Sequence, residues 1–177
     1  MERPLVTAVA HSDDEARVTL AGLANEPGVA GRVFSALAEA NVNVDMIIQN
    51  ETVSAEHGAD LSFTVGRDDL PIATETLAAI GFAGERVLTD DQIGKVSIIG
   101  AGMRSHPGVA AKVFEVLGAE AINIEMISTS PIKISCVIAA GRVADAVRAL
   151  HTAFELGADA VVREEPTGEH HRPRVVQ

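Results

Sequence analysis

Two Pro-Gly pairs, Pro27–Gly28 and Pro107–Gly108, occupy the same place in two similar stretches of the sequence. In each stretch a β-branched run precedes the pair and an apolar helical pattern follows it. Pro presets φ for a turn, and Gly lets the backbone approach another group closely. The first N–H groups of a helix lack intrahelical partners, so a helix start can hold a carboxylate. A lone Pro-Gly pair indicates only a strand-to-helix turn, whereas its recurrence favours a binding function.

A carboxylate site becomes selective for an amino acid when other groups receive the ammonium. The strand predicted after each helix offers polar side chains for this, on the face away from its apolar stripe: Asn43, Asp45, Gln49, Asn123 and Glu125. The apolar stripe of the first such strand is Val44, Met46 and Ile48. Buried polar groups need partners, but Asn43 and Asn123 could equally cap the turns before their strands. Both interpretations stay open.

The chain repeats itself with a period of about 80 residues, which suits a small domain rather than a solenoid unit. Residues 27–37, PGVAGRVFSAL, match residues 107–117, PGVAAKVFEVL. The strands that follow, NVDMI from Asn43 and NIEMI from Asn123, match as well. Upstream, RVTLAG from Arg17 corresponds to KVSIIG from Lys95. The agreement in one register predicts two copies of one domain.

Each copy is predicted to fold as β-α-β-β-α-β, the ferredoxin-like arrangement, with two helices on one face of a four-stranded antiparallel sheet. The fold class is therefore α+β. We expect the first domain at 16–90 and the second at 93–163, with a short linker at 89–92. A further strand at 4–10 could join the second domain. The tail 164–177 lacks apolar periodicity and is predicted to be mobile.

Composition excludes several classes of partner. The net charge of −11 and the absence of Trp and Tyr argue against nucleic acid. No apolar run is long enough for a membrane helix, and the first ten residues do not resemble a signal peptide. A single cysteine, Cys136, fits a reducing cytoplasm and is predicted to be a buried, inert thiol.

The sequence offers little support for an enzymatic function. The glycine pattern from Gly100 would need its third glycine at position 105, which is Ser105, so a dinucleotide site is disfavoured. An acylphosphatase-like enzyme would need a dedicated Arg loop, and the first copy has no basic residue there. His11 and His106 have no partners at metal or triad spacing. We expect no catalytic residue, no metal and no cofactor.

The sequence resembles the tandem ACT region of aspartate kinases from about Ala16 to Gly157. The resemblance rests on segments in both copies: 16–22, 27–28, 42–50, 91–97, 100–109 and 123–130. The stretch GAGMRSHPGV from Gly100, followed by ISTS from Ile127, is specific to aspartate kinases among ACT proteins. The resemblance implies a regulatory subunit without the kinase domain, which partners a catalytic aspartate kinase chain. It also implies threonine, and possibly lysine, as inhibitory effectors bound where ACT domains meet.

The resemblance further implies two effector pockets. One comprises Asn25, Pro27, Gly28, Val29, Ala30 and Gln49, completed by Asn123 and Ile124 from a second-copy domain. The other comprises His106, Pro107, Gly108, Val109 and Ala110, with Asn43 and Val44. Asn25 stands where relatives often carry Asp, and this removes a charge that could attract a lysine side chain, so threonine is the preferred ligand. Sheet edges predict a homodimer through 43–49 and 123–129. The alternative function is an ACT-repeat sensor for a different enzyme.

Overall fold

The computed structural model describes residues 6–51, 58–101, 103, 106 and 108–164. Seven strands and four helices lie in this part of the chain. The strands are β1 (Ala8–Ala24), β2 (Val44–Glu51), β3 (Gly58–Gly66), β4 (Val87–Ile99), β5 (Met126–Ser130), β6 (Lys133–Ala139) and β7 (Val161–Arg163). The helices are α1 (Val29–Glu39), α2 (Leu70–Ala79), α3 (Gly108–Ala119) and α4 (Val143–Ala153). The predicted α+β class of two ferredoxin-like repeats is confirmed.

The described chain divides into two compact units. The copy-one unit comprises residues 17–89, and the copy-two unit comprises residues 6–16 together with 90–164. The domain boundaries expected from the sequence, 16–90 and 93–163, stay a prediction. Of the predicted mobile tail, only Glu164 lies within the described residues.

The copy-one unit packs α1 and α2 against one face of its sheet. Antiparallel β3 lies between β2 and the second part of β1. Phe34 on α1 meets Phe63 on β3 edge to face, with ring centroids 5.4 Å apart. The core is closed by fully buried aliphatic side chains of strands and helices, namely Val18, Leu20, Val33, Leu37, Leu61 and Leu77. Pro71 stands in the first turn of α2, and Gly81 follows its end at φ +95°, positions that are typical of these two residue types.

The copy-two unit has the same helices and strands, with one strand added. β6 lies between β5 and β4, and the first part of β1 lies beside β4. β7 pairs with β1 in parallel, in the register Val9 to Val161. Val9 itself belongs to the hydrophobic core that α3 and α4 cover. Residues 8–16, which precede the first repeat, are therefore a structural part of the second.

Two local predictions need correction. Residues 89–92 contain the division between the two units, at Thr89 and Asp90, but they are a continuous part of strand β4 and not a separate linker segment. This segment is polar because its side chains are mostly exposed, and it contains no Gly or Pro to break the strand. Likewise the strand expected at 4–10 and the repeat segment from Arg17 to Gly22 belong to one strand, β1, of 17 residues. Residues 4 and 5 lie outside the described part.

Candidate functional site

The start of α1 is built by a glycine in the left-handed region. Gly28 is the N-cap residue at φ +94°, a conformation that side-chain-bearing residues rarely adopt. The Val29 N–H donates to the Glu26 carbonyl at 3.4 Å, and the Arg32 N–H donates to the Gly28 carbonyl at 2.9 Å. None of the described side chains caps this helix start. The first turn of an 11-residue helix therefore presents its positive end at the loop that follows β1.

A small cavity of about 70 Å³ lies at this helix start, within the copy-one unit. Its walls come from four consecutive elements of the repeat. The end of β1 and the loop give Leu23, Ala24, Glu26 and Gly28, α1 gives Val29 and Ala30, and the strands give Gln49 and Ala59. A cavity of this size is too small for a nucleotide.

A bulge in β2 brings Gln49 to the cavity. The pairing of β2 with β3 shifts between Val44 and Ile47, after which Ile47 pairs with Phe63 and Gln49 with Leu61. Directly paired residues of an antiparallel ladder point to the same face. Since Phe63 meets Phe34 of α1, Gln49 points to the helix-covered face. The strict alternation expected from the sequence, which placed Gln49 away from the apolar face, is therefore wrong beyond the bulge.

The sequence-predicted residues of the first pocket separate into three groups. Gly28, Val29, Ala30 and Gln49 all line the cavity. Asn25 lies beside it, where its Nδ2 donates to Glu51 Oε1 at 3.2 Å. Asn123 and Ile124 belong to the copy-two unit, where Asn123 is exposed and Ile124 packs against the core.

The residues predicted for the second pocket lie in different surroundings. Asn43 and Val44 line an open groove of about 310 Å³ in the copy-one unit, beside Phe34 and Ile47. In the copy-two unit His106 and Gly108 are exposed, whereas Val109 is buried in the core and Ala110 packs against it. Pro107 lies outside the described residues.

Sequence reasoning missed four residues that line the cavity. Leu23, Ala24 and Glu26 adjoin the Pro-Gly pair in the chain, so their nearness to Gly28 was a usable signal. Ala59 offered no such signal, because only its pairing with Glu51 across the sheet brings it there. Leu23 and Ala59 are buried, so they shape the cavity floor rather than bind a polar group.

Two observations on the described residues concern metal binding and the reactivity of the cysteine. Within them, no group of three His, Cys, Asp or Glu side chains could hold a metal ion. Burial raises the pKa of the Cys136 thiol to about 11, so the thiol stays protonated at neutral pH. The predicted burial of Cys136 is confirmed. No helix in the described ranges is long and apolar enough to cross a membrane.

The two units share the fold of a tandem domain of a known kind. Residues 17–82 and 96–154 match ACT domain families. The chain is 41% identical to the regulatory subunit of aspartate kinase from Thermus thermophilus, and the two structures superpose with a TM-score of 0.77. The match covers 85% of this chain and 99% of that subunit. It is 46% identical to a chain in a crystal structure of aspartokinase alpha and beta subunits, at a TM-score of 0.76, over 85% of this chain and 99% of that one.

The chain belongs to the tandem-ACT regulatory subunits of bacterial aspartate kinase. The predicted family is thereby confirmed. Curated relatives are whole aspartokinases, such as that of Mycolicibacterium smegmatis, which is 52% identical over 90% of this chain. The chain spans 38% of that protein's length.

Proposed function

We propose that this chain is the amino-acid-binding regulatory subunit of an aspartate kinase, that it acts in the cytoplasm, and that threonine is its effector, with lysine as the second candidate. The catalytic chain is a separate partner, and this chain itself carries no catalytic site. The observation that supports the proposal most is the copy-one cavity, whose wall unites Gly28, Val29, Ala30 and Gln49.

The chemistry of the cavity suits a small zwitterion with a polar side chain. The start of α1 offers N–H groups and a positive dipole end to the α-carboxylate. Gln49 offers both a donor and an acceptor, so it can bind the threonine hydroxyl in either direction. Asn123 and Ile124, supplied by the copy-two domain of a partner chain, would complete the site, where the side-chain oxygen of Asn123 would accept from the ammonium group.

A homodimer is part of this proposal. β2 and β5 end the strand order of their units, so each has one edge without a neighbouring strand among the described residues. Ile47 on β2 is 51% exposed and Ile127 on β5 is 42% exposed. Exposed apolar residues on unpaired edges favour strand-to-strand association through 43–49 and 123–129. Analytical ultracentrifugation should give a dimer at tens of micromolar, and a monomer with and without threonine would contradict it.

Two substitutions test the site directly. Ala30→Val places a branched side chain in the cavity and should block threonine binding, while Gln49→Ala removes a hydrogen bond and should weaken it by about 1–2 kcal/mol, or about five- to thirty-fold. Calorimetric titration of the purified chain measures both effects. Ala79→Val, at an exposed position of α2, and Gln92→Ala, at an exposed position of β4, are the matched controls.

Regulation is tested by the same variants in complex with the catalytic chain. Binding energy can shift a kinase between states only if it differs between them, so threonine inhibition must weaken in parallel with affinity. Folded variants that bind threonine as the parent does would place the effector elsewhere. Normal threonine binding without any effect on the kinase would instead favour a sensor for a different enzyme.

A further inference from the structure

A carboxylate stands beside the cavity on the same strand face as Gln49. Glu51 follows Gln49 by two residues on β2 and pairs with Ala59, which lines the cavity. The pairs Gln49–Leu61 and Glu51–Ala59 both lie beyond the bulge, so the two β2 side chains share the face covered by α1. Residues two apart on a strand are separated by about 6–7 Å.

Asn25 fixes that carboxylate at the cavity rim. Its Nδ2 donates to Glu51 Oε1 at 3.2 Å, which ties the loop before α1 to the far end of β2. A carboxylate accepts about four hydrogen bonds through its two oxygens. The bond from Asn25 therefore orients Glu51 and leaves it capacity to accept from a ligand. The cavity therefore has charges of opposite sign on two sides, the positive end of α1 on one and the Glu51 carboxylate on the other.

We propose that Glu51 receives the side-chain cation of a basic amino acid bound in the copy-one cavity, with Asn25 as the residue that positions it. This inference rests on the proposed function, because it requires an amino acid whose carboxylate sits at the start of α1. The distance of about 6–7 Å from Gln49 to Glu51 along the strand suits the four-carbon stem and ammonium of lysine. The cavity then holds the α-amino acid head, and the stem lies along the rim.

The charge at Glu51 is tested by comparing ligands that differ only in the cation. The parent chain is titrated by calorimetry with lysine, with norleucine, which has a similar unbranched stem but no ammonium, and with threonine. Because Glu51 is exposed, we expect a lysine preference over norleucine of about two- to five-fold, reduced by added salt. Glu51→Gln should abolish this preference and leave threonine affinity unchanged.

Matched variants separate a local contact from overall charge. Glu39→Gln removes the same charge from an exposed position near the end of α1 and should keep the lysine preference. Asn25→Ala leaves the Glu51 charge in place but releases its orientation, so the lysine-to-norleucine ratio should fall below the parent value. A purely structural role of Asn25 would lower both affinities together and leave that ratio unchanged.

The outcomes distinguish this inference from the proposed function. Equal affinity of the parent for lysine and norleucine, or a preference that survives in Glu51→Gln, overturns the role of Glu51 while threonine binding stands. Loss of threonine binding in a folded Glu51→Gln variant also overturns it. If neither threonine nor lysine binds the parent chain, the proposed function itself fails.

Discussion

The two copies use the same strand positions differently. In copy one, Thr19 on β1 and Ser62 on β3 share a hydroxyl hydrogen bond of 2.8 Å in a half-buried setting. Their counterparts in copy two, Ser97 and Ser135, share one of the same length but are buried. The basic residue two positions before each β1 or β4 hydroxyl is also more buried in copy two. Arg17 of copy one is half-buried, whereas Lys95 of copy two is 3% exposed.

The difference comes from segments that lie outside the repeat. Glu15, only 1% exposed, places Oε1 at 3.2 Å from Lys95 Nζ, and Glu164 after β7 places Oε2 at 3.3 Å from the same nitrogen. Lys133 Nζ donates to the other oxygen of Glu164 at 2.6 Å. Two ammonium groups thus balance two carboxylates. Copy two is anchored by segments that lie outside the repeats, Glu15 from before the first repeat and Glu164 from after the second, while copy one has the cavity beside its helix start.

We expect the largest loss of stability from a substitution that breaks the buried charge network around Lys95. Lys95→Ala leaves Glu15 without its cation in a buried position and should lower the free energy of unfolding by about 3–5 kcal/mol. Arg17→Ala, the matched change in copy one, should cost less than about 1 kcal/mol, since that site is partly solvated. Urea unfolding followed by circular dichroism measures both. Equal costs in the two copies would show that the buried network contributes nothing special to copy two.

A second pair of variants tests how closely β1 packs in copy two. A Cβ at Gly94 would overlap Val143 Cγ2 and lie 2.9 Å from the Ser12 carbonyl oxygen. Gly94→Ala should therefore destabilise the protein by about 1–3 kcal/mol. Gly31→Ala, inside α1 with open space around it, should stabilise by about 0.5–1 kcal/mol. Thermal unfolding compares the two, and a stable Gly94→Ala variant would contradict the close approach of residues 8–16.

A smaller effect concerns the buried thiol of copy two, whose counterpart in copy one is Phe63. Burial raises the pKa of Cys136 from 9.0 to about 11, so the unfolded chain loses this proton first as pH rises. The contribution of the neutral Cys136 thiol to the free energy of unfolding is fully present below pH 9. It is lost as pH rises through about 11. Between pH 8 and pH 10 we expect the parent to lose about 1 kcal/mol relative to Cys136→Ala. Parallel pH profiles of unfolding for the two proteins would refute it.

The smallest effect should be the same in both copies. Arg32 on α1 lies 5.3 Å from the ring centroid of Phe82, and its counterpart Lys112 on α3 lies 4.8 Å from that of Phe154. Arg32→Gln and Lys112→Gln should each lower the free energy of unfolding by about 0.5–1 kcal/mol. Urea titrations of the two variants side by side measure this. A difference above about 1.5 kcal/mol would mean that one of these contacts carries a further, copy-specific role.

Much of the fold could be predicted because its signals are local or repeated. The helical spacing of Val33 and Leu37 predicts α1, and both residues are buried on its inner face. Pro71 and Gly81 mark the two ends of α2. The Pro27–Gly28 pair indicates the loop at which the cavity lies, since only Gly readily takes the φ of +94° found there. Duplication of these signals gave the two-domain architecture.

By itself, then, the amino-acid sequence determined the two repeats, the order of their elements and the Pro-Gly pairs at the two helix starts. Tertiary structure alone decided which side chains meet there. The bulge between Val44 and Ile47 turns Gln49 and Glu51 toward α1, and strand pairing adds Ala59. Tertiary structure also placed residues 8–16 in copy two, beside Lys95 and β7. The physical reason is that register and strand partnership depend on groups far apart in the chain, which local periodicity does not encode.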